Sequence, residues 1–501
     1  MDQPATRSTA GPGAAAGAAG LPLCVDLDGT LIRSDTLVEG IGHLLGDWRS
    51  WPGLALAFSR GKAGLKQHVA AAAGIDAALL PYDERVIALI RDARTAGREV
   101  ALVTAADRRI ADAVATHLGL FDVVLASDGA TNLKGNAKGA ALVARYGAKG
   151  FAYAGNDGSD LAVWRHAGAA VVVNAPSTLA EQVRRDLPVE AVLPRAGGTT
   201  RALVKALRPY QWVKNLLIFV PLVTAHALAD LVAWRQAFLA MLAFSLVASS
   251  IYIVNDISDL DSDRRHARKR RRPFASGAAP IHAAFALAPA LGLAGLALGI
   301  AAGILPVLLL YAVISVSYSM RLKQLPLVDM FILATLYTIR LYAGGEATGY
   351  HVSLWLLAFS SFLFLSLAAV KRAAEILPLA KQGGGGPSSL SRRGYTAEDG
   401  PFILVMGVAS SFVATLVLAL FVQSDWSKGP EWSGQFMYFL VPLLLFWQCR
   451  LWLATTRGHM DDDPILYAAR DWVSQAIAVC MFAVFVVADG SALRLLRRLF
   501  E

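Results

Sequence analysis

The chain has 501 residues, 55% of them hydrophobic and only 17% charged, with a mean hydropathy of +0.47. Soluble domains carry about 25% charged residues, so this chain is not one soluble domain, and it is neither disordered nor fibrous. The net charge of +9 is uneven: residues 1–200 hold 20 basic and 20 acidic residues, whereas 201–501 hold 27 against 18. A basic surplus in an apolar half points to anionic lipid, a phosphorylated substrate or orientation charges. No basic stripe is interleaved with stacking aromatics, which argues against nucleic acid as a partner. Cys24, Cys449 and Cys480 have neither zinc spacing nor an even-numbered framework, which argues against structural zinc and disulfides.

Residues 1–20, rich in Ala, Gly, Pro and Thr, read as a disordered leader rather than a signal peptide. Residues 21–195 alternate β-rich runs with helical stretches. The predicted strands are Leu21–Leu27, Glu99–Thr104, Val123–Ser127, Gly150–Gly155 and Ala170–Val173. That alternation predicts an α/β domain with a parallel sheet covered by helices on both faces, its site at the carboxyl ends of the strands. Those ends are polar: Asp26-Leu27-Asp28-Gly29-Thr30, then Thr104, then Gly155-Asn156-Asp157-Gly158-Ser159-Asp160, with Lys138 opening a helix between the third and fourth strands. A lone Asp-rich turn is usually a helix cap, but several polar strand ends in order favour a site. A carboxylate nucleophile, a second acid two residues on, a hydroxyl and a lysine suit phosphoryl transfer, with a metal to offset charge repulsion.

These motifs resemble the haloacid dehalogenase (HAD) superfamily, a Rossmann-like fold, over residues 21–195. The resemblance implies Asp26 as nucleophile and Asp28 as acid/base. It implies phosphate binding by Thr104 and Lys138, with Lys134 the competing lysine. It implies a magnesium set of Asp26, Asp28, Asp157 and Asp160. One departure is Asn156, where the family often has an acid after the glycine of the last motif. The helical insert at about 35–94 occupies the substrate-selecting cap position, and 196–208 reads as a linker.

From about Leu203 long apolar runs begin. Nine spans are predicted, at about 209–226, 234–254, 281–301, 303–320, 326–345, 352–370, 401–422, 435–454 and 472–489, an all-α polytopic domain over 209–490. Loops rich in Lys and Arg alternate with short loops poor in them, placing the basic loops and the front domain in the cytoplasm and the chain in a bacterial inner membrane. The basic tail, 491–501, falls on the outer side by that count and reads as an interfacial helix or a sign of one span miscounted. At the end of the second span lies Asn255-Asp256-Ile257-Ser258-Asp259-Leu260-Asp261-Ser262-Asp263. Asp256, Asp259 and Asp263 share one helical face. Such carboxylates at a membrane helix end repel one another without a cation, and the basic run 264–272 beside them suits a magnesium–diphosphate better than a solvated cap.

This half is similar to the UbiA superfamily of intramembrane prenyltransferases over about 203–490. Within it the chain is most similar to members that transfer phosphoribose to decaprenyl phosphate. The carrying residues are Arg208-Pro209-x-Gln211-Trp212-x-Lys214-Asn215, the 255–263 motif with Arg272-Pro273-x-Ala275-Ser276-Gly277, and Tyr318-Ser319-x-Arg321-Leu322-Lys323. They continue with Asp329, Arg340, Ala343-Gly344-Gly345, Val370-Lys371-Arg372-x-x-Glu375 and Arg393-Gly394-Tyr395. Family members that prenylate aromatic rings generally carry two acid-rich motifs, whereas Leu325–Gly345 offers only Asp329. The resemblance implies magnesium-dependent transfer from phosphoribosyl pyrophosphate (PRPP) to a polyprenyl phosphate at the bilayer. Asp256, Asp259 and Asp263 would hold magnesium and Asn255 orient the site. Lys214, Asn215, Arg272, Tyr318, Arg321, Lys323, Lys371, Arg372 and Arg393 would surround substrate. Asp329 and Arg340 are expected either to contact ligand or to pair with each other. The glycine run 383–386 reads as a linker within a mobile basic loop. The pairing of motifs suggests that the front domain dephosphorylates the lipid-linked 5-phosphoribose. The alternatives are an aromatic prenyltransferase with an inactive docking module, or a transporter. Chain length of the lipid and oligomeric state are not legible.

Overall fold

The structure, a computed structural model, describes residues 20–128, 132–195, 197–225, 227–381, 394–426, 436–460 and 463–489. The chain forms two compact units, one of residues 1–208 with 252–289, the other of 209–251 with 290–501.

In the first unit, β1 (Leu23–Val25), β2 (Val100–Asp107), β3 (Val123–Ser127), β4 (Ala152–Gly155), β5 (Ala169–Val173) and β6 (Val189–Leu193) form one parallel sheet in the order β3-β2-β1-β4-β5-β6. The strands are apolar on both faces because both are covered. Leu23, Val25, Leu102, Ala154 and Val171 pack into one core. Cys24, Ala101, Val103, Tyr153 and Val172, one residue out of phase, pack into the other. Each large side chain so buried contributes about 1.5–3 kcal/mol. The strand order reverses at β1 and β4, which opens a crevice past their carboxyl ends. The five expected strands are present, and β6 is an addition.

Helices α1 (Thr36–Gly46), α2 (Trp51–Ser59) and α3 (Gly61–Ala72) follow β1. They form a small body around Leu44, Leu54, Ala57, Leu65, Val69 and Ala73. The cap is shorter than expected. The next helix, α4 (Glu84–Thr95), buries Val86, Ile87, Ile90 and Ala93 against the sheet and belongs to the main layer. Helices α5 (Arg108–Leu118), α6 (Asn136–Tyr146) and α7 (Ser177–Asp186) complete the layers.

Helices α8 (Leu231–Ser258), α9 (Leu260–Arg265), α10 (Ile281–Ala301), α11 (Leu305–Met320), α12 (Val328–Thr348), α13 (Leu354–Lys381), α14 (Gly400–Phe421), α15 (Leu440–Thr456), α16 (Pro464–Arg470) and α17 (Trp472–Asp489) make up the rest. The division between units falls within α8 and α10. In the second unit Met330, Phe364, Leu367, Val370, Ile403, Leu451 and Trp452 share a core.

The expectation of nine spans is met in part. Among the described residues, four helices are long and apolar enough to cross a membrane: α8, α10, residues 354–378 of α13 and residues 397–424 around α14. The α16–α17 pair, bent by 86°, makes a fifth if counted as one span. The stretch 209–226 fails because Pro209–Phe219 is a 3-10 helix. Helices α11 and α15 have only 16 and 17 residues. Helix α12 carries Asp329, Arg340 and Glu346 within 21 residues.

At Gly344 a Cβ would sit 2.0 Å from the Ile218 carbonyl oxygen. Backbone cannot yield cheaply there, so Gly344→Ala should destabilise the protein by about 1–3 kcal/mol. A fall in the melting temperature of detergent-solubilised protein checks this.

Candidate functional site

The first unit holds two clusters. The first lies at the β1/β4 crevice. Asp26 directly follows β1, and its Oδ1 accepts the Leu27 N–H at 2.9 Å and Lys138 Nζ at 2.8 Å. Of the two lysines considered, it is therefore Lys138, in the first turn of α6, that reaches Asp26. Lys138 Nζ also donates to the Tyr153 hydroxyl at 3.0 Å, which in turn donates to Asp160 Oδ1 at 2.8 Å. Asp160 Oδ2 accepts the Asn156 and Asp157 N–H groups, and Asp157 caps the Ser159 N–H. Asp157 and Asp160 thus have their carboxylates hydrogen-bonded to the turn and the Tyr153 hydroxyl, and among the described residues no three acids converge there as a metal set. Asp28 accepts the Thr36 N–H at 2.8 Å and the Thr36 hydroxyl at 3.3 Å, which ties the loop to the start of α1. The departure at Asn156 has a local partner, since its Oδ1 accepts the Thr30 hydroxyl at 3.3 Å. Thr104 is buried, and its Oγ1 accepts the Ala106 N–H at 3.0 Å.

Burial dominates the electrostatics here. It pushes the Asp26 carboxyl up to about 6, with Lys138 pulling it down and Asp160 pushing it up. Burial and then the charge of Asp35 push Asp28 up to about 7. Burial opposes the charge on Lys138, but Asp26 and Asp160 outweigh it and raise its pKa. One acid leans toward the ionised form near neutrality and its neighbour toward the protonated form, a division of labour suited to nucleophile and proton donor.

The second cluster is the acid motif. It is not one continuous helix: α8 ends at Ser258, Asp259 stands at the junction, and Asp263 lies in α9. Arg272 nonetheless holds two of the acids together, donating to Asp256 Oδ1 at 3.1 Å and Asp263 Oδ2 at 2.7 Å. Arg208 also donates to Asp256 Oδ1, and its guanidinium lies 5.1 Å from the Tyr252 ring centroid. Arg208 is held with φ +53°, a costly conformation for a side-chain-bearing residue. Asp256 Oδ2 is buried and has no hydrogen-bond partner. Among the described residues no three acids, histidines or cysteines converge as a ready-made metal cage. The orphaned Asp256 Oδ2, one residue after Asn255, is the atom that fits a cation.

The neighbouring basic run is not uniformly available to a ligand. Arg264 forms two hydrogen bonds to Glu39 of α1, at 2.6 and 2.9 Å, and both side chains are only 6% exposed. Arg264 Nε also donates to the Ala275 carbonyl. His43 lies 3.1 Å from Asp261. Gly277, at φ +70°, lies so close to Arg33 that a Cβ would meet the Arg33 Cβ at 2.6 Å. The cap is therefore bonded to the acid motif within one unit, and Glu39 carried no sequence signal for this.

The second unit gathers three polar clusters. Arg372 donates to Asp329 Oδ2 and Glu375 Oε2, each at 2.5 Å, and to the Tyr318 hydroxyl at 3.2 Å. Tyr395 donates to Asp329 Oδ1 and accepts the N–H of Leu327, which stands at φ +67°. Arg340 donates to Asn215 Oδ1 at 2.7 Å, to the Tyr311 hydroxyl at 3.1 Å and to the Leu336 carbonyl. Asn215 Nδ2 donates to Ser245. Asp329 and Arg340 therefore do not pair with each other; each has its own partners. Lys214 pairs with Asp463 at 2.5 Å, the N-cap residue of α16, a partner that sequence reading missed. Arg321 caps the end of α11, Lys323 follows in a 3-10 turn, and Lys371 precedes Arg372 in α13. Arg393, the glycine run and the basic tail lie outside the described residues, as do residues 1–19.

A parallel sheet with a paired-aspartate loop and a helical body after its first strand is the arrangement that the HAD resemblance implies, and apolar helices with an acid motif are what the UbiA resemblance implies. The model of the UbiA prenyltransferase family matches residues 216–462. A protein designated y4nM from Sinorhizobium fredii is 34% identical over 484 residues, 93% of this chain and 91% of its own. Nodulation protein NoeC from Azorhizobium caulinodans is 34% identical over 274 residues, 53% of this chain and 86% of its own. Decaprenyl-phosphate phosphoribosyltransferase from Mycobacterium tuberculosis is 30% identical over 288 residues, 56% of this chain and 92% of its own. The chain belongs to the UbiA prenyltransferase family, an integral membrane family, and carries a parallel α/β domain ahead of the matched region.

Breaking a buried ion pair from one side costs about 3–5 kcal/mol. Glu39→Gln should lower the melting temperature, and Arg264→Gln added to it should recover part of the loss. A double-mutant cycle on purified protein measures the coupling.

Proposed function

We propose that the membrane domain transfers 5-phosphoribose from PRPP to a polyprenyl phosphate, and that the front domain then removes the 5-phosphate from the lipid-linked product. The observation that supports the first step best is Asp256, held on one oxygen by Arg208 and Arg272 while its buried Oδ2 stays unpartnered. The identity to the phosphoribosyltransferase supports the choice of donor and acceptor. Asp256, with Asp259 and Asp263, would hold magnesium, which when bound would offset the charge of the PRPP diphosphate. Arg272 keeps Asp256 and Asp263 from separating. Arg321, Lys323, Lys371 and Arg393 are the cations assigned to substrate phosphates, with Lys214 beside them held by Asp463. Arg372, Arg340 and Asn215 have their polar atoms engaged within the protein and act by holding Asp329, Tyr318 and the surrounding helices. A lipid phosphate oxygen attacks C1 of the ribose, the C1–oxygen bond to the diphosphate breaks, and pyrophosphate leaves.

In the front domain Asp26 attacks the phosphorus of the 5-phosphate, and Asp28 protonates the departing ribose oxygen. Water, deprotonated by Asp28, then attacks the aspartyl phosphate and releases inorganic phosphate. Lys138 keeps Asp26 oriented and offsets phosphoryl charge, with Thr104 beside it. Basic loops on the cytoplasmic side of a bacterial inner membrane would put both reactions in one compartment.

Purified protein given magnesium, labelled PRPP and a polyprenyl phosphate should move label into lipid. Asp256→Asn should reduce this by at least about two orders of magnitude, as loss of one transition-state contact does. Asp26→Asn should leave transfer intact and leave the 5-phosphate on the lipid. No transfer by folded wild-type protein would overturn the reading.

Phosphate release should have a narrow pH optimum, since Asp26 must be ionised above about 6 and Asp28 protonated below about 7. Asp35→Asn keeps the α1 cap, since Asn caps as well as Asp, but removes the charge that raises Asp28. The basic limb of the profile should shift to lower pH, while the acidic limb stays.

A further inference from the structure

Helix α2, Trp-Pro-Gly-Leu-Ala-Leu-Ala-Phe-Ser, contains no charged residue. Its inner side is accounted for, because Leu54 and Ala57 are buried in the cap body. Its outer side is not polar. Trp51 is 49% exposed, Leu56 54% and Phe58 56%, and Leu45 just before it 37%. Among the described residues from 20 to 208, the large apolar side chains that stand exposed are these four and Val204. The helices flanking the sheet turn charge outward instead, as α4 does with Arg91, Asp92 and Arg94, and α7 with Glu181, Arg184 and Arg185. A helix apolar all round needs an apolar cover.

The cover follows from where α1 sits. At Gly42 a Cβ would lie 3.0 Å from Ile257 Cγ2, and at Gly46 one would lie 3.1 Å from the Ser258 carbonyl oxygen. Ile257 and Ser258 end α8, a helix long and apolar enough to span a membrane, and the charged run 259–272 begins at the next residue. The end of α1 is therefore held against the end of that apolar helix, where its sequence turns charged. Trp51 is five residues past Gly46, a reach of at most about 17 Å. Trp with flanking Arg is the composition that settles in a headgroup layer, and Arg49 and Arg60 flank α2.

We propose that α2 lies in the headgroup layer of the leaflet where α8 ends, so that the cap of the phosphatase-like domain docks on the bilayer surface. The occupant of the apolar face is lipid rather than protein. The proposal does not depend on the identity of the transferred group. A cap seated there would meet a lipid-linked substrate without extracting it.

The test uses the full chain with Cys449→Ser and Cys480→Ser, leaving the buried Cys24. Leu56→Cys on α2, or Arg184→Cys on α7 as control, carries a bimane label in nanodiscs of phosphatidylcholine and phosphatidylglycerol. Brominated acyl chains should quench the label at 56 severalfold more than at 184, and its emission should be blue-shifted. Equal quenching at the two sites would overturn the proposal. A blue-shifted label at 56 that brominated lipid leaves unquenched would overturn it too, assigning the face to a second protein surface. Both substitutions fall on exposed positions, so normal elution on size exclusion confirms that each protein is folded.

Discussion

Arg272 holds Asp256 and Asp263 within hydrogen-bonding distance of one guanidinium, and the acid motif has its shape because of it. Two buried carboxylates repel each other and lose hydration, and only a fixed cation or a ligand metal offsets both costs. Arginine suits the task because it stays charged, and here a single guanidinium nitrogen, Nη1, reaches both acids. The same constraint recurs at three other candidate positions. Asp26 is held by Lys138, Asp329 by Arg372, and Lys214 by Asp463. These charges are retained by opposite charges, whereas buried Arg340 is retained by neutral oxygens, and both kinds of contact fix where the polar side chains stand.

Much of the fold was legible in the sequence because it follows from periodicity. Strand runs such as Glu99–Thr104 and Val123–Ser127 are apolar on successive residues, which only a doubly covered sheet requires. Strand β6 escaped because Glu190 interrupts it. The cap boundary was overextended because the apolar spacing of Val86, Ile87 and Ile90 marks a buried helical face without saying what buries it. Hydropathy alone did not show that the first apolar stretch starts as a 3-10 helix, Pro209–Phe219, with Gln211, Lys214 and Asn215 within it.

The site residues were legible as chemical types and not as partners. Asp26, Lys138, Asp256 and Arg272 stand out from their motifs, and the structure brings each pair together. Arg264 looked like another ligand cation but is engaged by Glu39, which lies 225 residues earlier and has no motif around it. Asp329 and Arg340 lie on one helix, yet they are satisfied by different partners. Such choices depend on which side chains the tertiary fold brings within about 3 Å, and local sequence does not carry that information.

The first unit is discontinuous, and this bears on how the protein is made. The sheet from β1 to β6 is complete once residue 193 has been synthesised, whereas Arg264 and the loop reaching Gly277 are made only after all of α8. At about 5–20 residues per second, the 225 residues between Glu39 and Arg264 take roughly ten to forty-five seconds. During that interval a finished α/β domain presents a cap with an unpaired acid and a bare glycine-lined face. Insertion of α8 into the bilayer then delivers Ile257, Leu260 and Arg264 to that face. Assembly of the cap is thereby timed by membrane insertion, and a ribosome stalled before residue 264 would leave the front domain folded but unlatched.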